Sequence, residues 1–405
     1  ALDTHLINFL ERTQGHAGWP LNVFLTPEGY PLIGATYLQP AQFAQTLRRL
    51  QQTWLDERAR LRNLARRTML QLMLEKRPAA AEPLSPPELD RALVAQTMDV
   101  ADLLEGGFGQ ESRFPMAPQL LTLLDLQQRR PHQVLAEFLR LTLDKLAGEG
   151  MRDHVGGGFF RYTVDPSWEI PHFEKMLYSQ ALVAEVFMRA ADVLQQPEYD
   201  RVAYDTLQFA MREMRGVQGG FVSSFSAVDS AGEEGAPYLW SAEQLVAELG
   251  AEEAAVARRF WRMEGVAAFD GRYLPMRGES EQSIAQSLAE DEAGTRDRLA
   301  LIRKRLLAAR RQRELPVDGK ELAGWNGLML GALSAGAERW EDRAMREQAS
   351  ALWTFLVQRL WDGQRLRRAL ADGRELGQAS LADYAYVAYG LHRYWMLEGR
   401  ASDKT

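Results

Sequence analysis

One short element recurs between the amphipathic segments of this chain: a pair of glycines followed by phenylalanine, at Gly106-Gly107-Phe108, Gly157-Gly158-Phe159 and Gly219-Gly220-Phe221. Glycine admits positive φ and lets the backbone approach another group closely. Any one of these loops, taken alone, reads first as simple helix termination by glycine. Their recurrence at uneven spacing suggests helical hairpins repeated around a centre rather than a strict solenoid, with the loops converging on one end.

The segments between those loops carry apolar residues at helical spacing. They predict helices near 88–104, 118–130, 133–149, 173–194, 197–215, 241–249, 285–313, 323–340, 343–361 and 379–398, long enough to pack as antiparallel hairpins. The first residues read differently. A short helix over Leu2 to Thr13 is broken by Gly15 to Pro20, Leu21 to Leu25 and Tyr30 to Thr36 form a hairpin about a Thr26-Pro27-Glu28-Gly29 turn, and Pro40 opens a helix to about Leu55. Prolines 78, 83, 86 and 87 among alanines suit an extended linker. The predicted organisation is therefore a module at 1–76, a Pro/Ala-rich linker at 77–87 and a helical domain at 88–405.

Composition narrows the functions. The 405 residues carry 48 basic and 55 acidic side chains, so no excess of positive charge is available for phosphates, and nucleic acid is not an expected partner. Arg58 to Arg67 and Arg303 to Arg313 alternate with Leu and Ala and read as solvated helix faces. No window is long and apolar enough for a membrane span, which predicts a soluble cytoplasmic protein. Zero cysteines exclude thiol nucleophiles, thiolate zinc sites and dithiol redox chemistry within the chain. His172-Phe173-Glu174 has the His-x-Glu spacing of zinc deaminases but lacks their thiolate ligands, and no helical His pair is present, so no metal and no cofactor are expected.

Three segments together resemble the spermatogenesis-associated-protein-20-like (YyaL) family. They are Gly18-Trp19-Pro20-Leu21-Asn22-Val23-Phe24-Leu25-Thr26-Pro27 with Gly34 to Tyr37, then Asp153 to Phe159 running through Arg161, Tyr162, Asp165 and Trp168 to Tyr178, and Trp325-Asn326-Gly327-Leu328-Met329. Gly106 to Pro115, Asp229 with Gly232 to Gly235 and Trp240, and Asp383 to Tyr386 support them in the same order. The resemblance implies a mainly α protein. A partial thioredoxin-like α/β module, with Trp19-Pro20 at its cis-proline loop, precedes an α/α toroid similar to N-acylglucosamine 2-epimerases and six-hairpin glycosidases. Such toroids use about twelve helices against the ten counted, so the chain reads as a short member or as part of a longer one. Phe160, Ser179 and Ala227 stand where the family usually has histidine, aspartate and aspartate, which points to a weakened or altered pocket.

The candidate chemistry centres on His154 and His172, which lie in the glycine-rich, aromatic segment. Imidazole titrates near neutrality, so a pair flanking a sugar could remove and return a proton beside a carbonyl. Either ring could instead cap a helix or tie down a loop. Asp229, Glu233, Glu234, Asp318 and Asp383 supply the rival chemistry, Asp229 and Asp383 foremost, since two such loop carboxylates can act as acid and base on a glycosidic bond, although helix N-termini favour acids anyway. Arg161, Tyr162, Trp168, Glu174, Tyr178, Glu234, Trp240, Trp325, Asn326 and Tyr384 are the candidate binding residues, the aromatics as stacking platforms that could equally be core. The expected function is a carbohydrate-related toroid protein, an epimerase or glycoside-processing enzyme with a sugar-like small-molecule ligand. The alternative is a non-catalytic ligand- or protein-binding scaffold with a vestigial, redox-inactive thioredoxin-like module. Oligomeric state is open.

Overall fold

A computed structural model describes residues 2–15, 17–75 and 84–402 and divides the chain into two compact units, Ala1–Ser85 and Pro86–Thr405. Most of the expected linker lies outside the described residues. In the first unit, helix α1 (Leu2–Gln14) packs on a hairpin of β1 (Asn22–Leu25) and β2 (Pro31–Ala35), paired antiparallel from Asn22↔Ala35. Leu10 and Phe9 are its buried residues, and Gly34 is required because a Cβ there would strike the Leu10 side chain. The Trp19–Pro20 peptide is cis. Helix α2 (Pro40–Glu75) runs twenty residues beyond the expected end at Leu55, with a kink at Glu57. Ala65 and Met69 bury one stripe of that extension, and its arginines face solvent.

The second unit is a succession of helices. After α3 (Pro86–Val100), α4 (Ala117–Arg129) and α5 (Gln133–Gly148) form a hairpin. Short strands β3 (Tyr162–Thr163), β4 (Pro171–His172) and β5 (Lys175–Met176) lead to a second hairpin of α6 (Leu177–Val193) and α7 (Pro197–Glu213). Strand β6 (Ser224–Phe225) then precedes a cluster of α8 (Ala242–Leu249), α9 (Ala251–Phe260), α10 (Glu281–Leu288) and α11 (Glu292–Arg310), with its own core of Trp240, Leu245, Trp261, Ile284, Leu299 and Leu306. Strands β7 (Val317–Asp318) and β8 (Glu321–Leu322) introduce the hairpin of α12 (Ala323–Arg339) and α13 (Arg343–Phe355), which ends in a π turn at Leu356–Leu360. Strands β9 (Arg367–Ala371) and β10 (Arg374–Gln378) precede α14 (Leu381–Ser402).

Helices α4, α6, α12 and α14 lie side by side in that order, α7 backs α6 and α12, and α13 backs α12 and α14. This inner row with an outer row of return helices is the α/α-toroid architecture, in a chain whose described residues hold fourteen helices. Two small sheets fix the loop end. The order β5-β6-β7 ties the start of α6 to the approach to α12, and β8-β9-β10 ties the start of α12 to the approach to α14.

Three boundaries differ from the periodicity. The helix expected at 173–194 starts at Leu177, because residues 171–176 alternate between buried and half-exposed as a strand does. The helix expected at 285–313 is two helices, separated at Ala289 in the left-handed region and restarted by Asp291, whose carboxylate accepts from the Gly294 amide. Helix α9 was not anticipated; Gly250, at φ 82°, turns the chain directly from α8 into it. Among its described residues the second unit accordingly holds twelve helices rather than ten.

Candidate functional site

The three glycine-glycine-phenylalanine loops share one construction. In each, the residue at the base of the loop bridges to the phenylalanine, as Ala101↔Phe108, Arg152↔Phe159 and Arg215↔Phe221. A polar side chain from a neighbouring helix then holds the loop backbone. Thr142 of α5 accepts from the Gly107 amide at 2.9 Å, Gln180 of α6 bonds both backbone groups of Phe159 at 2.8 Å, and Asn326 of α12 bonds both of Phe221 at 2.7 and 3.0 Å. Buried Asp153 accepts from the amides of Val155 and Gly156, as Asp102 does from Leu104 and Glu105. Gly158, at φ 74°, meets the Phe209 ring where a Cβ would stand, so no other residue fits. Asn326, expected as a ligand group, is thus part of this framework.

On that framework stands a partly exposed polar cluster. Along Pro171 to Tyr178 the odd-numbered residues are buried and His172, Glu174, Met176 and Tyr178 are half-exposed, so the alternation of a strand presents the histidine and the carboxylate on one face. The His172 ring has a carboxylate at each nitrogen: Nδ1 lies 2.7 Å from Glu234 and Nε2 3.3 Å from Glu174. Tyr162, paired with His172 across β3 and β4, stacks on its ring at 5.1 Å and on Phe114 at 4.7 Å. Arg161 donates to Glu174 at 2.7 Å and keeps a buried Nε with no hydrogen-bond partner. Burial pulls the guanidinium pKa of Arg161 down, but bonds to Glu174 and Tyr178 outweigh it and raise it. Tyr178 in turn packs against Trp325 at 4.9 Å. Seven of the expected site residues, Arg161, Tyr162, His172, Glu174, Tyr178, Glu234 and Trp325, therefore form one connected group.

The other seven stand apart from it. His154 is partly buried, with Nε2 3.2 Å from the Glu149 carbonyl oxygen. Burial, with Arg152 nearby, pushes its pKa down to about 3, so the ring is neutral. It shares no hydrogen bond or ring contact with His172 among the described residues. Trp168 is fully buried and donates to the Glu105 carbonyl at 2.9 Å. Trp240 is fully buried beneath the Arg313 guanidinium. Asp229 accepts from the amides of Ala231 and Glu233 and shapes its own turn. Asp383 accepts from the Ser380 amide and hydroxyl at 2.8 Å at the start of α14, and the Tyr384 hydroxyl accepts from the Leu366 amide. Asn326 completes the set. Phe160, Ser179 and Ala227 are buried, and Phe160 packs on Phe173 and Tyr238.

Two features escaped the sequence reading. Lys175, on the buried side of β5, bonds Asp153 at 2.6 Å and the Gly157 carbonyl at 2.7 Å. Burial lowers its pKa to about 8 against the pull of Asp153; burial would raise that of Asp153, but Arg310 and Lys175 hold it far below the usual carboxylate range. A lysine at that position breaks the apolar/polar alternation of Pro171 to Glu174, so the sequence did not mark it as buried. The second is Glu185 on α6, which lines a hollow of about 820 Å3 between α4, α6, α12 and α14 together with Arg189, Arg339, Trp340 and Tyr389. One carboxyl oxygen accepts from the Tyr389 hydroxyl at 2.8 Å, and the other is buried without a partner. Burial raises its pKa to about 7, opposed by the Tyr389 bond and Arg393. No helix among the described residues is long and apolar enough to cross a membrane, and no set of three or more His, Asp and Glu side chains among them is arranged to hold a metal ion.

Fold and sequence define a class: a thioredoxin-like module followed by an α/α toroid. Residues 1–73 match the family described as Thioredox_DsbH, "Protein of unknown function, DUF255". Across 96% of its length the chain is similar to spermatogenesis-associated protein 20 of Homo sapiens, at 29% identity over 442 residues. The chain spans 56% of that relative. Among solved structures, similarity extends to cellobiose 2-epimerase from Spirochaeta thermophila, 14% identical over 79% of this chain and 100% of that one, with a TM-score of 0.30. A family 76 glycoside hydrolase (mannosidase) from Bacteroides thetaiotaomicron is 9% identical over 71% of this chain and 56% of that one, with a TM-score of 0.39.

Proposed function

We propose that the face built on His172 binds a small sugar-like ligand and acts on it by general acid–base chemistry, as an epimerase or glycoside-processing enzyme. The observation that carries the reading is the His172 ring, laid on Tyr162 and held between Glu174 and Glu234. Glu234, bonded at Nδ1, orients the ring, and Nε2 is the nitrogen that takes a proton from a ligand and returns it. Arg161, bonded to Glu174, supplies a positive charge, and the carboxylates supply acceptors for hydroxyl groups. Tyr178 with Trp325 offers an apolar wall for the C–H face of a ring. His172 and its two carboxylates form the acid–base set; His154, Asp229 and Asp383 position the backbone.

The test is incubation with free aldoses, N-acetylated amino sugars and glycosides in D2O, followed by proton NMR. Epimerisation exchanges the proton beside the carbonyl for deuterium, whereas hydrolysis releases a reducing sugar. Turnover that disappears in His172→Gln supports the proposal. Binding without turnover supports the scaffold alternative, and absence of both overturns the sugar assignment.

A further inference from the structure

Lys175 faces away from His172 and Glu174, and on its side of β5 the chain encloses a separate hollow of about 280 Å3. Its wall includes Lys175, Glu213, Tyr238, Arg310, Arg311 and Arg313. The two carboxylates bonded to the cations of this wall are already engaged. Asp153 takes Lys175 and Arg310 at 2.6 Å each, and Glu213 takes Arg212 and Arg311 at 2.7 Å each. Arg313 bonds the carbonyls of Ala236, Pro237 and Leu239 and covers the Trp240 ring at 3.9 Å; it makes no ion pair with a carboxylate among the described residues, and Glu248 is the carboxylate whose charge reaches it. Cations therefore outnumber carboxylates around a partly enclosed space, where like charges repel more strongly than in water.

Tyr238, in the wall of the hollow, also carries an unspent donor. Tyr238 is only 3% exposed, and its hydroxyl has no hydrogen-bond partner. Phe160 and Phe173 fix the ring, at 4.9 and 5.8 Å, so the hydroxyl cannot turn to solvent. A buried hydroxyl without a partner is costly unless a ligand or water completes it. Burial moreover raises the pKa of the phenol, although Arg310 opposes it, so the oxygen keeps the proton that an acceptor needs.

We propose that this hollow binds a small oxyanion, a phosphate or carboxylate group, which accepts from the Tyr238 hydroxyl and neutralises the charge of Arg310, Arg311 and Arg313. The volume suits an anion of a few heavy atoms, and the site is distinct from the His172 face. The test is isothermal titration calorimetry of the full chain with inorganic phosphate and, separately, malonate, in about 0.15 M chloride to screen loose surface attraction. Saturable one-to-one binding of either anion is expected, and the tighter one identifies the chemistry. Tyr238→Phe should weaken it about tenfold with an unchanged or higher melting temperature, since the hydroxyl makes no bond in the free protein. Arg311→Gln, a change at an exposed side chain, should weaken it as well. His172→Gln should leave it unaltered. Lack of saturation below about 20 mM, wild-type affinity in both Tyr238→Phe and Arg311→Gln, or loss of binding in His172→Gln would each overturn the proposal.

Discussion

The side-chain amide of Gln180 clasps the backbone of Phe159: its oxygen accepts from the Phe159 amide and its nitrogen donates to the Phe159 carbonyl, both at 2.8 Å. The pair is buried, and water cannot replace either bond. Gln180→Ala should therefore leave two buried backbone groups unpaired, at about 1–3 kcal/mol each. A loss of about 2–4 kcal/mol in urea unfolding is expected. Asn326→Ala, which frees Phe221 in the same way, should cost a similar amount; a loss below 0.5 kcal/mol in both, about the scatter of ordinary surface changes, would show that the loops are held otherwise.

Much of the fold was legible because helical hairpins announce themselves by local periodicity. The repeated Gly-Gly-Phe loops were legible too, since positive φ at Gly107 and Gly158 leaves little choice of residue. What failed were features with no local signature. Phe173-Glu174-Lys175-Met176 runs apolar, charged, charged, apolar, which suits a helix start as well as a strand, and pairing with β6 decided it. The turn at Ala289 has no glycine to mark it. The cluster of Arg161, His172, Glu174 and Glu234 joins one segment to a loop sixty residues away, and only the family motifs link the two in the sequence. Lys175 and Glu185 owe their character to burial by distant helices, which spacing cannot supply.

Glu185 should give the protein a pH dependence of definite sign. Its carboxyl pKa is about 7 in the fold against 4.5 for the free group, so between those values the folded state binds more protons than the unfolded one. Stability then falls as pH rises through that interval and levels off above it. The full shift corresponds to about 3 kcal/mol, and partial exposure of the side chain brings the expectation to about 2 kcal/mol. Glu185→Gln keeps an acceptor for Tyr389 without the charge. Urea midpoints should show the variant more stable than wild type at pH 8 but not at pH 5; an equal difference at both would disprove the assignment.

Asp383 should prove structural. Its bonds to the Ser380 amide and hydroxyl form the reciprocal cap that opens α14. Asp383→Ala is expected to lower stability by about 0.5–2 kcal/mol. Any sugar affinity or turnover should stay within about twofold of wild type. A selective loss of turnover at unchanged melting temperature would return Asp383 to the catalytic set.

The two histidines should separate cleanly. His172→Gln, at a half-exposed ring, should reduce turnover by about two to four orders of magnitude and leave the melting temperature nearly unchanged. His154→Gln should do the reverse, lowering stability through the lost bond to Glu149 while turnover per folded molecule persists. The pH record gives an independent check. The folded pKa of His154 lies near 3, below the 6.5 of the free imidazole, so the unfolded state binds more protons in that window. The contribution of His154 is complete above about pH 6.5 and is lost as the solution is acidified. In NMR titrations its ring carbon shifts should stay those of neutral imidazole down to about pH 4, and His154→Gln should remove part of the acid sensitivity. A His154 ring that titrates near 6.5, together with a His172 variant that unfolds, would reverse the two roles.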